Sequence, residues 1–199
     1  MLPPSPEKLW TEARTLQAKG KLQRARKLFQ QARKQAPRGP GLALELGVLE
    51  AQMGLFKYAL PTLQDAVKLA PGSANAHYNL AEVCRAAGLH ERAVTSFREA
   101  LRLDPEYAEA NFGLGDILLG QTRAAEALPH LELAAQKLPA DAEVHTVLAQ
   151  ALLQLEQPHR ALPVLSSVVQ THRDYIPGHM EFLRALNSHA RPSQVARHI

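Results

Sequence analysis

Residues 74–107, ANAHYNLAEVCRAAGLHERAVTSFREALRLDPEY, align without a gap with residues 108–141, AEANFGLGDILLGQTRAAEALPHLELAAQKLPAD. Both segments are 34 residues long. The same frame continues through three further copies, at residues 6–39, 40–73 and 142–175. Five tandem copies of one segment are typical of repeat proteins, in which each copy is one small structural unit.

Several positions of this frame keep their size or chemical type. Position 8 is always small: Ala13, Gly47, Ala81, Gly115 and Ala149. Position 20 is always Ala: Ala25, Ala59, Ala93, Ala127 and Ala161. Position 24 is always bulky: Phe29, Leu63, Phe97, Leu131 and Leu165. A small residue on one helix leaves room for a large one on its neighbour, so the pattern predicts two closely packed helices in each copy.

Helix-breaking residues separate these predicted helices. Position 32 is Pro37, Pro71, Pro105 and Pro139 in the first four copies, and position 15 is Gly20, Gly54 and Gly88 in the first three. Proline ends a helix because it lacks an N–H, and glycine is the favoured residue just after a helix end. Each copy is therefore predicted to be helix, turn, helix.

One stripe of the first helix is predicted to be buried against the second helix. It comprises positions 4, 7, 8 and 11, which lie on one face at helical spacing. Glu50 occupies position 11 of the second copy. Because a buried carboxylate needs a cationic or hydrogen-bonding partner, we predict a structural salt bridge at Glu50.

These recurring residues, with Ala at position 27 of the first four copies, resemble the tetratricopeptide repeat family. The resemblance implies an all-α fold, a right-handed superhelical solenoid of antiparallel helix-turn-helix repeats. The first helices would line a concave groove. We predict a single domain over residues 1–199, with a capping helix at residues 176–190 and a tail at residues 191–199. Glu12 at position 7 and Arg173 at position 32 depart from the family pattern, both in terminal copies.

The candidate binding residues follow from the same frame. Positions 2, 5, 6, 9, 12 and 13 lie opposite the buried stripe, and the resemblance places them in the groove, so we call them the groove face. The candidates are Trp10, Arg14, Glu45, Asn75, Tyr78, Asn79, Glu82, Arg85, Glu109, Phe112, Asp116, Glu143, Thr146 and Gln150, together with Glu7, Thr11 and Val48. Trp10, Tyr78 and Phe112 share position 5.

The composition of this face suggests a class of partner. Its six carboxylates outnumber its two guanidinium groups. Aromatic surfaces flanked by carboxylates suit a peptide that carries apolar anchors and Lys or Arg neighbours. We therefore expect a protein-interaction scaffold that binds a neutral or basic segment of another protein. The alternative, that these side chains only keep the face solvated, stays open.

Other function classes find little support in the sequence. The first 39 residues hold ten Lys and Arg against two Glu, but few aromatic residues are interleaved, so we do not expect nucleic-acid binding. The nine His lack metal-site spacing, and we expect no metal or other cofactor. Cys84 and His90 resemble a catalytic pair, yet the frame places Cys84 on the buried stripe. We expect no enzymatic activity.

The two ends of the chain bear on location and context. The prolines and charges of MLPPSPEKLW do not fit a secretory signal, so we expect no membrane insertion and a cytoplasmic protein. At the other end, HMEFLRALNSHARPSQVARHI resembles the junction that precedes methyltransferase or O-linked glycosyltransferase domains in bacterial proteins. The alternative function is therefore an N-terminal docking module of a larger bacterial enzyme.

Overall fold

A computed structural model describes residues 4–190, without the side chains of residues 188–190. The predicted tail at residues 191–199 lies outside the described residues. The described part contains eleven α-helices. They are α1 (Pro6–Ala18), α2 (Leu22–Gln35), α3 (Pro40–Gln52), α4 (Phe56–Leu69), α5 (Ala74–Ala86), α6 (His90–Leu103), α7 (Ala108–Gly120), α8 (Ala124–Lys137), α9 (Ala142–Gln154), α10 (Pro158–Thr171) and α11 (Ile176–Ala190).

The helices follow the 34-residue frame. The first five odd-numbered helices begin at the first position of each copy, and each packs against the even-numbered helix that follows it. The predicted all-α fold of helix-turn-helix repeats is confirmed. The chain divides into two compact units, the first ending at Pro105 and the second beginning at Glu106. Each unit is described by itself below.

Close packing inside the pairs explains the alternation of small and large residues. A Cβ atom built on Gly47 would lie 2.6 Å from Leu63 Cγ, and one on Gly115 would lie 2.7 Å from Leu131 Cγ. Both distances are shorter than real carbon contacts allow. The two leucines are fully buried, as are all five alanines at position 20. The close helix approach that the sequence predicted is confirmed at these positions.

The turn between paired helices has the same backbone in both units. Gly88 has a φ of +73°, and the N–H of Leu89 donates to the Cys84 carbonyl at 2.8 Å. Glu156 stands at the equivalent position with a φ of +57°, and the N–H of Gln157 donates to the Leu152 carbonyl at 2.8 Å. Thr122 is the corresponding residue of the fourth copy, with a φ of +61°. The turn therefore forms without glycine, at a cost of about 1 kcal/mol for a left-handed residue that has a Cβ.

The predicted salt bridge at Glu50 is confirmed. Glu50 is only 2% exposed, and its Oε1 accepts a hydrogen bond from Arg26 Nε at 2.9 Å. Its Oε2 accepts a second hydrogen bond from Thr62 Oγ1 at 3.0 Å. The guanidinium of Arg26 also lies 4.7 Å from the centroid of the Tyr58 ring. These contacts satisfy both oxygens of a carboxylate that would otherwise be buried without a partner.

A second buried face on the first helices was not predicted. Positions 3 and 10 are buried in the middle copies, and they are Leu42, Leu49, Ala76, Val83, Ala110, Ile117, Val144 and Ala151. Leu42 and Leu49 share a core cluster with Phe29 of the preceding pair. Positions 3 and 10 of α1 are Lys8 and Thr15, which are exposed, as is Glu12 at position 7. Glu12 thus departs from the repeat pattern at a position whose side chain is exposed in α1.

The last helix buries small residues and exposes large ones. Gly178 and Ala185 of α11 are buried, and a Cβ on Gly178 would lie 2.7 Å from Val168 of α10. Four of the large apolar side chains of α11 point away from this contact. Ile176, Met180, Leu183 and Leu186 are 71%, 64%, 56% and 42% exposed. The spacing of Met180, Leu183 and Leu186 thus forms a stripe on the outer side of α11.

Candidate functional site

Within the first unit, the groove face begins with a cluster that joins α1 to α3. Trp10 Nε1 donates to Glu45 Oε2 at 2.7 Å, and Arg14 Nε lies 3.7 Å from the same oxygen. The Trp10 ring also covers the backbone of Gly41, since a Cβ there would lie 3.4 Å from the indole. Trp10 is therefore a half-buried aromatic whose polar edge is already occupied by Glu45.

The α5 part of the groove face carries polar groups that bind one another. Asn79 Nδ2 donates to Asn75 Oδ1 at 2.6 Å and to the Asn75 carbonyl at 2.7 Å. Arg85 donates to both oxygens of Glu82, at 3.1 Å and 2.9 Å. The Tyr78 ring lies 6.1 Å from the ring of Phe97, so this tyrosine is half-buried against α6. The α5 surface is pre-organised by contacts within α5 and, at Tyr78, by a contact with α6.

In the second unit, two groove-face carboxylates stand out. Glu109 of α7 and Glu143 of α9 are exposed, and neither forms an ion pair within residues 106–190. Second-helix carboxylates differ, because Glu126 pairs with Arg123 and Glu132 pairs with Arg160. Phe112, Asp116 and Gln150 are half-buried on the same face. Glu109 and Glu143 therefore place negative charge on the groove face of this unit without ion-pair partners among residues 106–190.

One predicted groove residue lies elsewhere. Thr146 is only 2% exposed, and its Oγ1 donates to the Ala142 carbonyl at 2.8 Å. Gly178 of α11 covers it, since a Cβ on Gly178 would lie 3.6 Å from Thr146 Oγ1. The expectation that Thr146 contacts a partner is therefore wrong for this structure. Tyr175 lies alongside, where burial, Glu143 and Asp141 raise the pKa of its phenol and a hydrogen bond to Thr146 opposes them.

A cavity opens on the groove face between α7, α9 and α11. Its volume is about 800 Å³, within the range of about 300–1,000 Å³ found for ligand sites. Its lining combines apolar, amide and charged side chains. The lining residues are Asp116, Leu119, Gly120, Gln150, Leu153, Gln154, Glu156, Pro158, Glu181 and Arg184. Only Asp116 and Gln150 among them were predicted as site residues.

The missed lining residues follow the repeat frame once it is carried beyond residue 175. Glu181 and Arg184 then fall at positions 6 and 9, which are groove-face positions. Leu153 and Gln154 fall at positions 12 and 13 of the fifth copy. The repeat frame thus indicated these residues, but α11 was predicted only as a capping helix, and mainly polar and aromatic residues were predicted to bind.

The cysteine and histidines do not assemble a reactive site in the described residues. Cys84 is fully buried, and burial raises the pKa of its thiol while Arg92 partly opposes the shift. His90 is exposed. The prediction that Cys84 is a core residue is confirmed. No three His, Cys, Asp or Glu side chains among residues 4–190 are grouped as they would be at a metal site.

Two family models, each described as a tetratricopeptide repeat, match the chain over residues 41–193 and residues 11–57. The chain belongs to the tetratricopeptide repeat family. Both matches concern repeat sequence, and tetratricopeptide repeat folds commonly act as protein-interaction scaffolds. No curated protein sequence matches the chain significantly.

Solved tetratricopeptide repeat structures resemble the chain over most of its length. The chain is 17% identical to pilF of Pseudomonas aeruginosa, with a TM-score of 0.83 over 90% of this chain and 82% of that chain. A tetratricopeptide repeat protein from Parabacteroides merdae is 18% identical, with a TM-score of 0.78 over 94% and 75%. YrrB, a tetratricopeptide repeat protein with an unusual peptide-binding site, is 18% identical, with a TM-score of 0.72 over 87% and 89%. These identities establish the fold alone.

No α-helix within residues 4–190 is both long enough and apolar enough to cross a bilayer.

Proposed function

We propose that the chain is a non-enzymatic scaffold that binds a neutral or basic segment of a partner protein through its groove face. The observation that carries this proposal is the pair of exposed groove-face carboxylates Glu109 and Glu143 in the second unit. Neither forms an ion pair among the described residues, whereas Glu126 and Glu132 of α8 do. Unpaired carboxylates on one face attract cationic partners and favour their approach.

Apolar contacts on the same face would supply the rest of the binding free energy. Tyr78 and Phe112 are half-buried, so part of each ring remains accessible. Met180 of α11 shares position 5 with them and is 64% exposed. Aromatic and Met side chains contribute strongly at interfaces because they bury large areas and adapt their shape. A segment with apolar residues between Lys or Arg residues suits this combination.

Peptide binding is compatible with repeats of this kind. YrrB, whose fold the chain shares, is a tetratricopeptide repeat protein with an unusual peptide-binding site. That property supports a binding role for this chain and says nothing of which peptide it takes. The composition of the groove face is what favours a neutral or basic segment.

The test measures binding of labelled peptides that carry Leu anchors and Lys or Arg residues, by fluorescence anisotropy at several salt concentrations. The variant combines Glu82→Lys, Glu109→Lys and Asp116→Lys. We expect about tenfold weaker binding or more and a smaller salt dependence, because the attraction between opposite charges is replaced by repulsion. Unchanged affinity and salt dependence would contradict the proposal.

A matched control separates the groove face from net charge. Glu91→Lys, Glu126→Lys and Glu132→Lys alter the net charge by the same amount on exposed positions of second helices. Surface ion pairs at such positions contribute little to stability, so the control is expected to fold. Its affinity should stay close to that of the unmodified chain. An equal loss in both triple variants would indicate nonspecific attraction.

The alternative role, a docking module ahead of a methyltransferase or O-linked glycosyltransferase domain, stays a prediction. The coding sequence that follows Ile199 tests it directly. An open reading frame that continues into such a domain would support it, and a stop codon would contradict it.

A further inference from the structure

The cavity between α7, α9 and α11 has the features of a subsite for one side chain of a partner. It is a space of about 800 Å³ bordered by residues of α7, α9 and α11. Leu119, Leu153 and Pro158 supply its apolar lining, and Gln150 and Gln154 supply amide groups. A pocket with mostly apolar walls and a few polar groups is the usual form of a specific binding site.

The charged groups of the cavity favour a cation as the guest. Three carboxylates line it, at Asp116, Glu156 and Glu181, against the single guanidinium of Arg184. Arg184 lies 3.6 Å from Glu181 Oε1, and its side chain is 77% exposed. A contact so open to solvent is weak and is readily exchanged. Repulsion from these carboxylates disfavours an anionic guest.

Glu181 of the cavity lining has a carboxylate oxygen that lacks a hydrogen-bond partner. Its side chain is only 15% exposed, and its Oε2 is shielded from solvent without a hydrogen-bond donor. A shielded carboxylate oxygen without a donor has lost its hydration without a replacement, which is unfavourable. Glu181 also lines the cavity, so a donor placed there could reach its carboxylate.

We propose that the cavity receives the side chain of a Lys or Arg residue of the partner segment, with Glu181 as its principal acceptor. The methylene stem lies along Leu119, Leu153 and Pro158, as long cationic side chains do when they cross apolar surface. The cationic head reaches Glu181, and the amides of Gln150 and Gln154 accept its remaining hydrogen bonds. This subsite rests on the proposed function, since it names one anchor of the same partner.

The test uses Nα-acetyl-arginine methylamide and Nα-acetyl-lysine methylamide as probes, observed by amide chemical-shift changes in NMR. The neutral analogues that contain citrulline and norleucine are the matched controls. We expect saturable shifts centred on Asp116, Gln150 and Glu181 with the cationic probes only. Equal shifts with the neutral analogues, or shifts spread over the whole surface, would overturn the proposal.

Two variants locate the acceptor. Glu181→Gln removes the negative charge and should weaken probe binding about tenfold, because the cationic head loses its charged acceptor. Glu132→Gln removes an exposed carboxylate of α8 that neither lies on the groove face nor lines the cavity, and it should leave probe binding unchanged. Leu153→Trp keeps every carboxylate and fills the space, so it should also abolish binding. Binding that survives both Glu181→Gln and Leu153→Trp would overturn the subsite.

The same variants separate failure of the subsite from failure of the proposed function. If basic peptides bind, and the triple charge reversal weakens them while Glu181→Gln and Leu153→Trp do not, the scaffold function stands and the subsite is wrong. If no basic peptide binds while the arginine probe saturates the cavity, the subsite stands and the proposed partner class is wrong. Thermal unfolding of each variant, followed by circular dichroism, establishes that it is folded.

Discussion

Arg26 Nε donates to Glu50 Oε1 across 2.9 Å, which joins α2 of the first repeat to α3 of the second through a buried ion pair. Three other copies have leucine at the position that Glu50 occupies. Leu16, Leu118 and Leu152 stand at position 11 where the second copy has Glu50. The ion pair is thus a local substitute for apolar packing, and its two halves depend on each other.

We expect Arg26→Met to destabilise the first unit by about 3–5 kcal/mol, because it leaves Glu50 buried without its cation. Glu50→Leu should cost less, since it restores the residue that other copies use. The double variant Arg26→Met with Glu50→Leu should recover much of the loss. Urea unfolding of the four proteins in a double-mutant cycle measures the coupling. Additive effects would indicate that the pair contributes no specific stability.

The left-handed turn predicts stability changes of opposite sign at equivalent positions. Glu156 adopts a φ of +57° with a side chain that disfavours it, whereas Gly88 adopts +73° freely. We expect Glu156→Gly to raise the free energy of unfolding by up to about 1 kcal/mol and Gly88→Glu to lower it by about 1 kcal/mol. Chemical denaturation of the two variants measures both changes. The same sign in both would mean that the turn is not the cause.

The packing of position 8 against position 24 predicts a compensating pair. Gly115→Ala alone should cost about 1–3 kcal/mol, because its Cβ would lie 2.7 Å from Leu131 Cγ. Copies one and three combine Ala with Phe at these positions, and Ala81 and Phe97 are both fully buried. Leu131→Phe should therefore restore part of the stability lost in Gly115→Ala. Thermal melting of the single and double variants measures this, and a double variant worse than either single variant would contradict it.

Burial of Cys84 predicts a dependence of stability on alkaline pH. Because burial raises the pKa of this thiol, the unfolded chain ionises first, near pH 8.5. Stability is thus complete below that pH and declines as pH rises toward the folded pKa. Cys84→Ala should flatten this decline, which begins near pH 8.5. Tyr175, whose phenol pKa is also raised by burial, contributes only at higher pH. Urea unfolding at several pH values measures the slope.

The same burial predicts low reactivity. A thiol reagent should modify Cys84 at the rate of local unfolding in the native protein and rapidly in urea. Fast modification of the native chain, together with an unchanged pH slope in Cys84→Ala, would contradict the core assignment.

The sequence predicted the helix contacts that depend on the sizes of residues at fixed positions of the repeat frame. Gly115 and Leu131, or Ala81 and Phe97, constrain each other sterically, so their alternation in sequence reports a contact directly. Glu50 could be predicted for a similar reason, because a charge on a buried stripe requires a partner. The repeat frame also marks the turn, through glycine at position 15 of the first three copies. It does not mark the same turn at Thr122 and Glu156, because a residue other than glycine gives little sequence signal of left-handed backbone.

The site was less predictable, for a physical reason. Position within a helix defines which side of that helix a residue occupies, but neighbouring helices decide whether that side is open. Thr146 sits at a groove-face position and is nevertheless covered by Gly178 of α11. Glu181 was missed because the shielding of its Oε2 depends on packing among several helices. Both cases depend on α11, a helix to which the prediction did not extend the 34-residue frame.

The contrast between α1 and α11 bears on how the array can be re-engineered. Lys8, Glu12 and Thr15 make the outer face of α1 polar, so a hairpin fused ahead of Pro6 would meet three side chains unsuited to burial. Leu183 and Leu186 of α11 instead present an apolar surface at the positions where earlier first helices receive their second helix. A designed second helix with Ala, Leu and Ala at positions 20, 24 and 27 would pack against this apolar surface. Modular extension of this protein therefore has a preferred direction, set by three polar residues at one end and two leucines at the other.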